Sequence, residues 1–216
     1  MLKRIMCSIC SIAIAVCLLL GYHIDTLACA NILYAGYPDY NCHTLNGGVG
    51  NYGYTNRYYY VTSSASTYLT DITSAVDGWI YTSSSLGVTT PISLIRTTTQ
   101  SSSVFDVYYE STAISGAGSS PGVTIHYSSG NAVNANSGNW GWSKIQLNSS
   151  YFSGLVTAQK KATIGHEFGH AFGLEHPSMI FGLYPDDQNR LMTPQPDRNV
   201  TSPQIKDVTV INHLYA

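Results

Sequence analysis

The chain has 216 residues, a formal net charge of −2 and only 10% charged residues. That length is enough for one domain with its own core, and the lack of any basic or acidic run argues against a nucleic-acid partner. Polarity is carried instead by Ser, Thr, Asn, Gly and 17 tyrosines, a composition that suits a β-rich extracellular protein better than a disordered chain.

The N-terminus reads as an address. Lys3 and Arg4 precede an apolar run from Ile5 to about Leu20, and a small-residue stretch containing Ala28 and Ala30 follows. This order of segments assigns 1–30 to a secretory signal peptide and the mature protein to the extracellular space. The run is marginally short for the ~20 apolar residues of a bilayer span. No membrane association is therefore expected of the mature form unless the signal is retained as an anchor; a lipid on Cys29 is a further alternative. Cys7, Cys10 and Cys17 would leave with the signal. Cleavage after Ala30 leaves Cys42 alone, whereas cleavage after Ala28 leaves Cys29 and Cys42, a pair that could bond.

Residues 31–56 are rich in Gly, Asn and Tyr without helical periodicity, and read as an extended lead-in or a short prosegment; the main folded domain is expected over 57–216. "RYYYVT" is the expected first strand. Leu69, Ile72, Val76, Trp79 and Ile80 then recur at three- and four-residue spacing, which predicts an amphipathic helix with Ser66 as its N-cap and Gly87 closing the region. "PISLIR", "VFDVYYE", "GVTIHY" and "SKIQLN" are short β-type runs, and the Gly/Asn/Ser-rich stretch 128–141 between the last two is expected to be a surface loop. A second helix should run from about Thr157 to near Gly173. A loop punctuated by Pro177, Pro185, Pro194 and Pro196 leads to a final helix over 202–214. The order predicts an α+β fold: a mixed twisted sheet, a long helix packed on it, and a small C-terminal subdomain ending in a helix.

The second helix carries "HEFGHAFGLEH", residues 166–176. His166 and His170 are four apart and project from one helical face, where two imidazoles can converge on one Zn²⁺ at about 2.0–2.1 Å. Glu167 lies roughly 100° further round the helix, within reach of a water on such a metal. A catalytic zinc usually takes three protein ligands and keeps a position open. His176 is the candidate third ligand, six residues on and so off the helical face. Gly173 resolves that difficulty, because a glycine can take the left-handed conformation that ends a helix and turns the chain back. At this chain's own His, Glu and Gly frequencies the five fixed positions arise by chance about once in 10⁵ sequences, so the extended motif is specific where a bare HExxH is less so.

"HEFGHAFGLEH" resembles the zinc-binding consensus of the metzincin metalloendopeptidases, and the remainder of the chain is most similar to the matrixin branch. "RLMTP" resembles the Met-turn beneath the matrixin zinc, with Met192 as its methionine; "DVTVINHLY", with Asp207, resembles the closing matrixin helix. "GVTIHY" resembles the edge strand along which matrixins align substrate, which implies substrate contacts at Gly122, Val123, Thr124 and Ile125. The resemblance spans roughly 57–216 and implies a metzincin fold, one catalytic zinc on His166, His170 and His176, Glu167 as general base, and structural support from Gly173, Met192 and Asp207. It implies a protein or peptide substrate and a monomer. Pro177 after the third histidine is as in serralysins, and Lys206 stands where matrixins carry a second acid.

Other residues are read as structural. His126 resembles a matrixin structural-zinc ligand but lacks its companions, so an edge-strand histidine is the better reading. Asp186 and Asp187 offer the oxygen ligands Ca²⁺ prefers, but a solvated loop is the better reading and a calcium site is unsupported. "YNCHTL" does not match the matrixin latency motif, which leaves a zinc-binding role for the Cys42 thiolate as a minor alternative. The rival to an enzyme is a non-catalytic secreted adhesion module with a structural zinc; such a zinc normally has four protein ligands and no use for Glu167.

Overall fold

The computed structural model describes residues 39–111, 118–177, 189–194 and 200–215. The expected signal peptide with Ala28, Ala30 and Cys29, and the loop acids Asp186 and Asp187, lie outside the described residues. Among the described residues, no helix is long and apolar enough to cross a membrane.

Six strands form one mixed sheet: β1 (Arg57–Val61), β2 (Leu94–Thr97), β3 (Phe105–Glu110), β4 (Gly122–Ser128), β5 (Asn131–Val133) and β6 (Trp142–Asn148), in the order β2-β1-β3-β6-β4-β5. The first four in that order are parallel to one another, while β4 runs antiparallel to both β6 and β5. The helices are α1 (Leu69–Ile80), α2 (Thr82–Leu86), α3 (Ser149–Phe152), α4 (Thr157–Ala171) and α5 (Ile205–Leu214). The expected α+β architecture is thus present, with the long helix α4 packed on α1 and on strands β4 and β6.

Two local expectations are corrected. Ser66 does not cap α1: the chain enters that helix through a 3-10 turn, Ser63–Tyr68, and the Ser66 hydroxyl donates back to Ser63 O at 2.7 Å. A run of Ser and Thr offers the backbone such local partners, which compete with a regular helical start. The stretch 128–141 is not all loop, because Asn131–Val133 folds back on β4 with Ser128 opposite Asn131. The two residues between them, Ser129 and Gly130, both have positive φ (50° and 81°), the backbone a two-residue hairpin needs.

Between the sheet and α4 lies an aromatic core. Phe105 of β3 meets Phe168 and Phe172 edge-on at 6.1 and 5.4 Å, and Trp79 of α1 meets Phe172 at 5.5 Å. Edge-to-face packing of this kind adds about 0.5–1.5 kcal/mol per pair to the burial of the rings. Leu45 and Val49, from the lead-in before β1, are buried in the same core. The lead-in is stitched down by Asn46 N donating to Trp140 O at 2.7 Å, and by Tyr215 Oη, which accepts from Leu45 N and donates to Phe172 O at 2.8 Å.

One face of α4 is built from small residues one turn apart, Gly165 and Gly169. The Trp79 indole donates to Gly165 O at 2.9 Å. A Cβ on Gly169 would overlap the Met192 sulfur and come within 3.2 Å of Trp79. These two glycines let α1 and the turn 190–193 approach the helix closely, and that approach positions the site.

Candidate metal centre

Every residue of α4 from Ala162 to Ala171 is buried, so His166, Glu167 and His170 are presented inside the protein and not on a solvated face. The helix then stops as the glycine in the motif suggests. Gly173 has φ +107°, its N–H bonds His170 O at 2.9 Å, and Leu174 N bonds Gly169 O at 3.0 Å, the paired bonds of a Schellman ending. The reversal brings His176, which is exposed, back over the helix end.

The three Nε2 atoms converge. His166 and His176 are 3.0 Å apart, and His170 lies 3.1 Å from each. Three nitrogens about 2.0–2.1 Å from a tetrahedral ion are separated by roughly 3.3 Å, so the triangle is within a few tenths of an ångström of a zinc ligand set. The outer ring nitrogens show which atoms carry hydrogen. His166 Nδ1 lies 2.8 Å from Leu191 O, and His170 Nδ1 lies 2.8 Å from Leu174 O. A carbonyl can only accept, so both Nδ1 atoms are donors and both neutral rings turn an Nε2 lone pair inward. Lone pairs aimed at one point repel unless a cation lies between them, and the donor set therefore fits a divalent metal such as zinc.

Glu167, 4% exposed, is held by β4. Thr124 Oγ1 lies 2.9 Å from Glu167 Oε2 and 2.8 Å from Glu167 O, sharing one hydroxyl hydrogen between them. Gly122, at the start of the same strand, approaches so closely that a Cβ there would fall 2.9 Å from Glu167 Oε1. Val123 and Ile125 alternate with them along β4. The segment 122–127 pairs with β6 on one side, but β5 covers only His126, Tyr127 and Ser128 on the other. Among the described residues, the outer edge of Gly122–Ile125 therefore has no strand partner.

Met192 is 2% exposed and packs beneath α4 against Gly169. Asp207, 3% exposed, ties this turn to the last helix: its Oδ2 accepts from Gln204 N at 2.8 Å and from Leu191 N at 2.9 Å. Burial raises the Asp207 pKa, opposed by hydrogen bonds from the Gln204, Leu191 and Met192 backbone and by Arg190. Leu191 thus joins the two halves, accepting from His166 through its carbonyl and donating to Asp207 through its N–H.

His126 lies buried against Trp140 at 4.3 Å, with Nδ1 3.0 Å from Ser143 Oγ. Burial depresses its pKa to about 4, and it belongs to no cluster of three or more ligand groups among the described residues. Cys42 is disulfide-bonded, so its sulfur is not a thiolate. The contacts that pattern reading missed are those of Tyr40, whose hydroxyl lies 2.9 Å from His170 Nδ1, and of Gly169. Tyr40 sits in a lead-in with no periodicity to mark it. Gly169 was visible inside the motif, but nothing in the sequence paired it with Met192.

No protein-family model matches the chain, and no curated protein matches it in sequence. Among solved structures, it is similar to high choriolytic enzyme 1, a hatching-enzyme zinc protease from medaka fish (Oryzias latipes), at 15% identity and a TM-score of 0.42, over 76% of this chain and 90% of that one. It is also similar to a structure of myroilysin at 16% identity and a TM-score of 0.35, over 62% of this chain and 54% of that one. Likeness at that level carries no functional weight, which rests on the histidine triangle and the buried glutamate.

Proposed function

We propose that this protein is a secreted zinc endopeptidase of the metzincin clan, matrixin-like in its C-terminal half, with His166, His170 and His176 as zinc ligands and Glu167 as general base. The observation that carries the reading is the convergence of three imidazole Nε2 atoms beside a buried carboxylate on the same helix. Zinc held there supplies Lewis acidity, which makes a water more acidic and polarises a peptide carbonyl. The Glu167 carboxylate accepts the proton of the attacking water and passes it to the leaving amide nitrogen. Thr124 holds Oε2 of that carboxylate, which limits its rotation before proton transfer. A peptide substrate lies extended along the outer edge of Gly122–Ile125, pairing its backbone groups with that edge by strand addition. Gly173, Met192 and Asp207 act through geometry: the first returns His176, and the others fix Leu191 and through it His166. The Cys42 disulfide supports an oxidising compartment and hence export.

Glu167→Ala separates an enzyme from a module that uses metal only to hold its fold. The variant keeps all three nitrogen ligands, so its zinc content and thermal stability should match wild type while kcat falls at least the 10²–10⁴-fold typical of lost acid–base catalysis. His166→Ala should lose metal and activity together. Peptide cleavage by zinc-loaded Glu167→Ala at the wild-type rate would overturn the assignment, and joint loss of zinc and folding would mark Glu167 as a fourth ligand in a closed structural site.

A further inference from the structure

We propose that Tyr40, in the lead-in before the first strand, is a positioning residue of the metal site, clamping the ring of His170 so that its Nε2 faces the metal; this rests on the zinc reading given above. His170 Nδ1 has two oxygen neighbours, Leu174 O at 2.8 Å and Tyr40 Oη at 2.9 Å. Because the carbonyl cannot donate, the hydrogen resides on Nδ1 and the tyrosine oxygen is its second acceptor. The two acceptors have different origins. Leu174 follows directly from the glycine turn at the end of α4, whereas Tyr40 comes from a segment 130 residues away in sequence.

Several contacts fix Tyr40 independently of His170. Tyr40 N donates to Gly173 O at 3.2 Å, and Asp39 forms an antiparallel bridge with Leu174. The turn that follows is closed by His43 N donating to Tyr40 O and by Cys42 N donating to Asp39 Oδ1, at 2.9 and 2.8 Å. Asn41 and Cys42 both have positive φ, an unusual backbone in non-glycine residues. The Tyr40 ring packs against His126 and Trp140, with centroids 5.5 and 6.2 Å away. The hydroxyl is therefore delivered to the ligand by a pre-formed scaffold. Partners of a ligand's outer nitrogen fix ring orientation and tautomer and raise its basicity toward the metal. On this account the lead-in is a permanent wall of the site and not a segment to be shed.

The test is zinc affinity, measured with zinc alone by competition against a chelating dye, in full-length protein and in Tyr40→Phe. The phenylalanine keeps the ring contacts and removes only the oxygen. The dissociation constant should rise about 10-fold, the low end of what loss of such a partner costs, while the unfolding midpoint of the zinc-free protein stays unchanged. Equal affinities in the two proteins would overturn the role of Tyr40 while leaving the zinc site standing; a wild-type protein that binds no zinc would overturn both. Should Tyr40→Phe fold poorly, NMR of the zinc-loaded wild type decides. The His170 Nδ1 proton should be protected from exchange and close to the Tyr40 ring protons, and its absence would refute the clamp.

Discussion

Gly169→Ala tests how tightly the turn bearing Met192 is pressed against α4. In an exposed helix interior this change stabilises by about 0.8–1.0 kcal/mol. Here the new Cβ would overlap the Met192 sulfur and sit 3.2 Å from Met192 Cε and from Trp79 Cζ2, and all of these partners are buried. Overpacking of that kind costs typically ~1–3 kcal/mol, so the net effect should be a loss of up to about 2 kcal/mol. At this chain length that lowers the unfolding midpoint by roughly 2–4 °C per kcal/mol. Gly165→Ala is the milder comparison, since its Cβ meets the buried Leu191 side chain at 3.1 Å and Trp79 and Ala75 only at ordinary contact distance; it should cost less than Gly169→Ala. Gly169→Ala combined with Met192→Ala should cost less than the sum of the two single changes, with a coupling of about 0.5–3 kcal/mol as expected of residues in contact. Urea denaturation of the wild type, the three single variants and the pair, all zinc-loaded, measures all of this. A Gly169→Ala protein more stable than wild type, or strict additivity in the pair, would refute the close approach.

Two further outcomes are expected. Gly173→Val should weaken zinc binding although Gly173 holds no ligand atom, because φ +107° is strained for a β-branched residue and any Cβ there lies 3.3 Å from His43 O; wild-type affinity by chelator competition would contradict the turn. His126 should make the fold sensitive to mild acid. Its pKa falls from the usual 6.5 to about 4 on burial, so between those values the unfolded chain binds a proton that the folded one does not. The stabilisation is complete above pH 6.5 and is lost as pH falls toward 4, by up to about 3 kcal/mol. His126→Gln should show a shallower decline than wild type in denaturation at stepped pH, and equal slopes would refute the assignment.

The histidine constellation was legible because helical spacing is a strict geometric code: His166 and His170 must share a face, and a glycine three residues beyond His170 is a natural place for the chain to turn. The strands were legible from their β-branched and aromatic runs, and β5 hid behind polar composition although Ser129-Gly130 is a recognisable hairpin turn. Cap and contact chemistry were less so. Ser66 looked like a cap, but neighbouring Ser and Thr residues supplied a competing turn. The Tyr40 contact spans 130 residues, and no local pattern encodes a pairing set by the closure of the whole fold. Asp207 could be located by resemblance, yet its bond to Leu191, which reaches His166, becomes visible only when the turn and the last helix are in place.

The close approach of Gly122 to Glu167 ties two positions that lie 45 residues apart. The strand leaves no volume for a Cβ beside the carboxylate, so alanine at 122 must either displace that side chain or push β4 outward. Related chains should therefore vary at these two sites together: wherever a glutamate stands at the position of Glu167, glycine should stand opposite it, and a lineage that has given up the glutamate is released from the restriction. A comparison of descendants would then read the loss of the buried carboxylate from a strand residue on the opposite side of the contact.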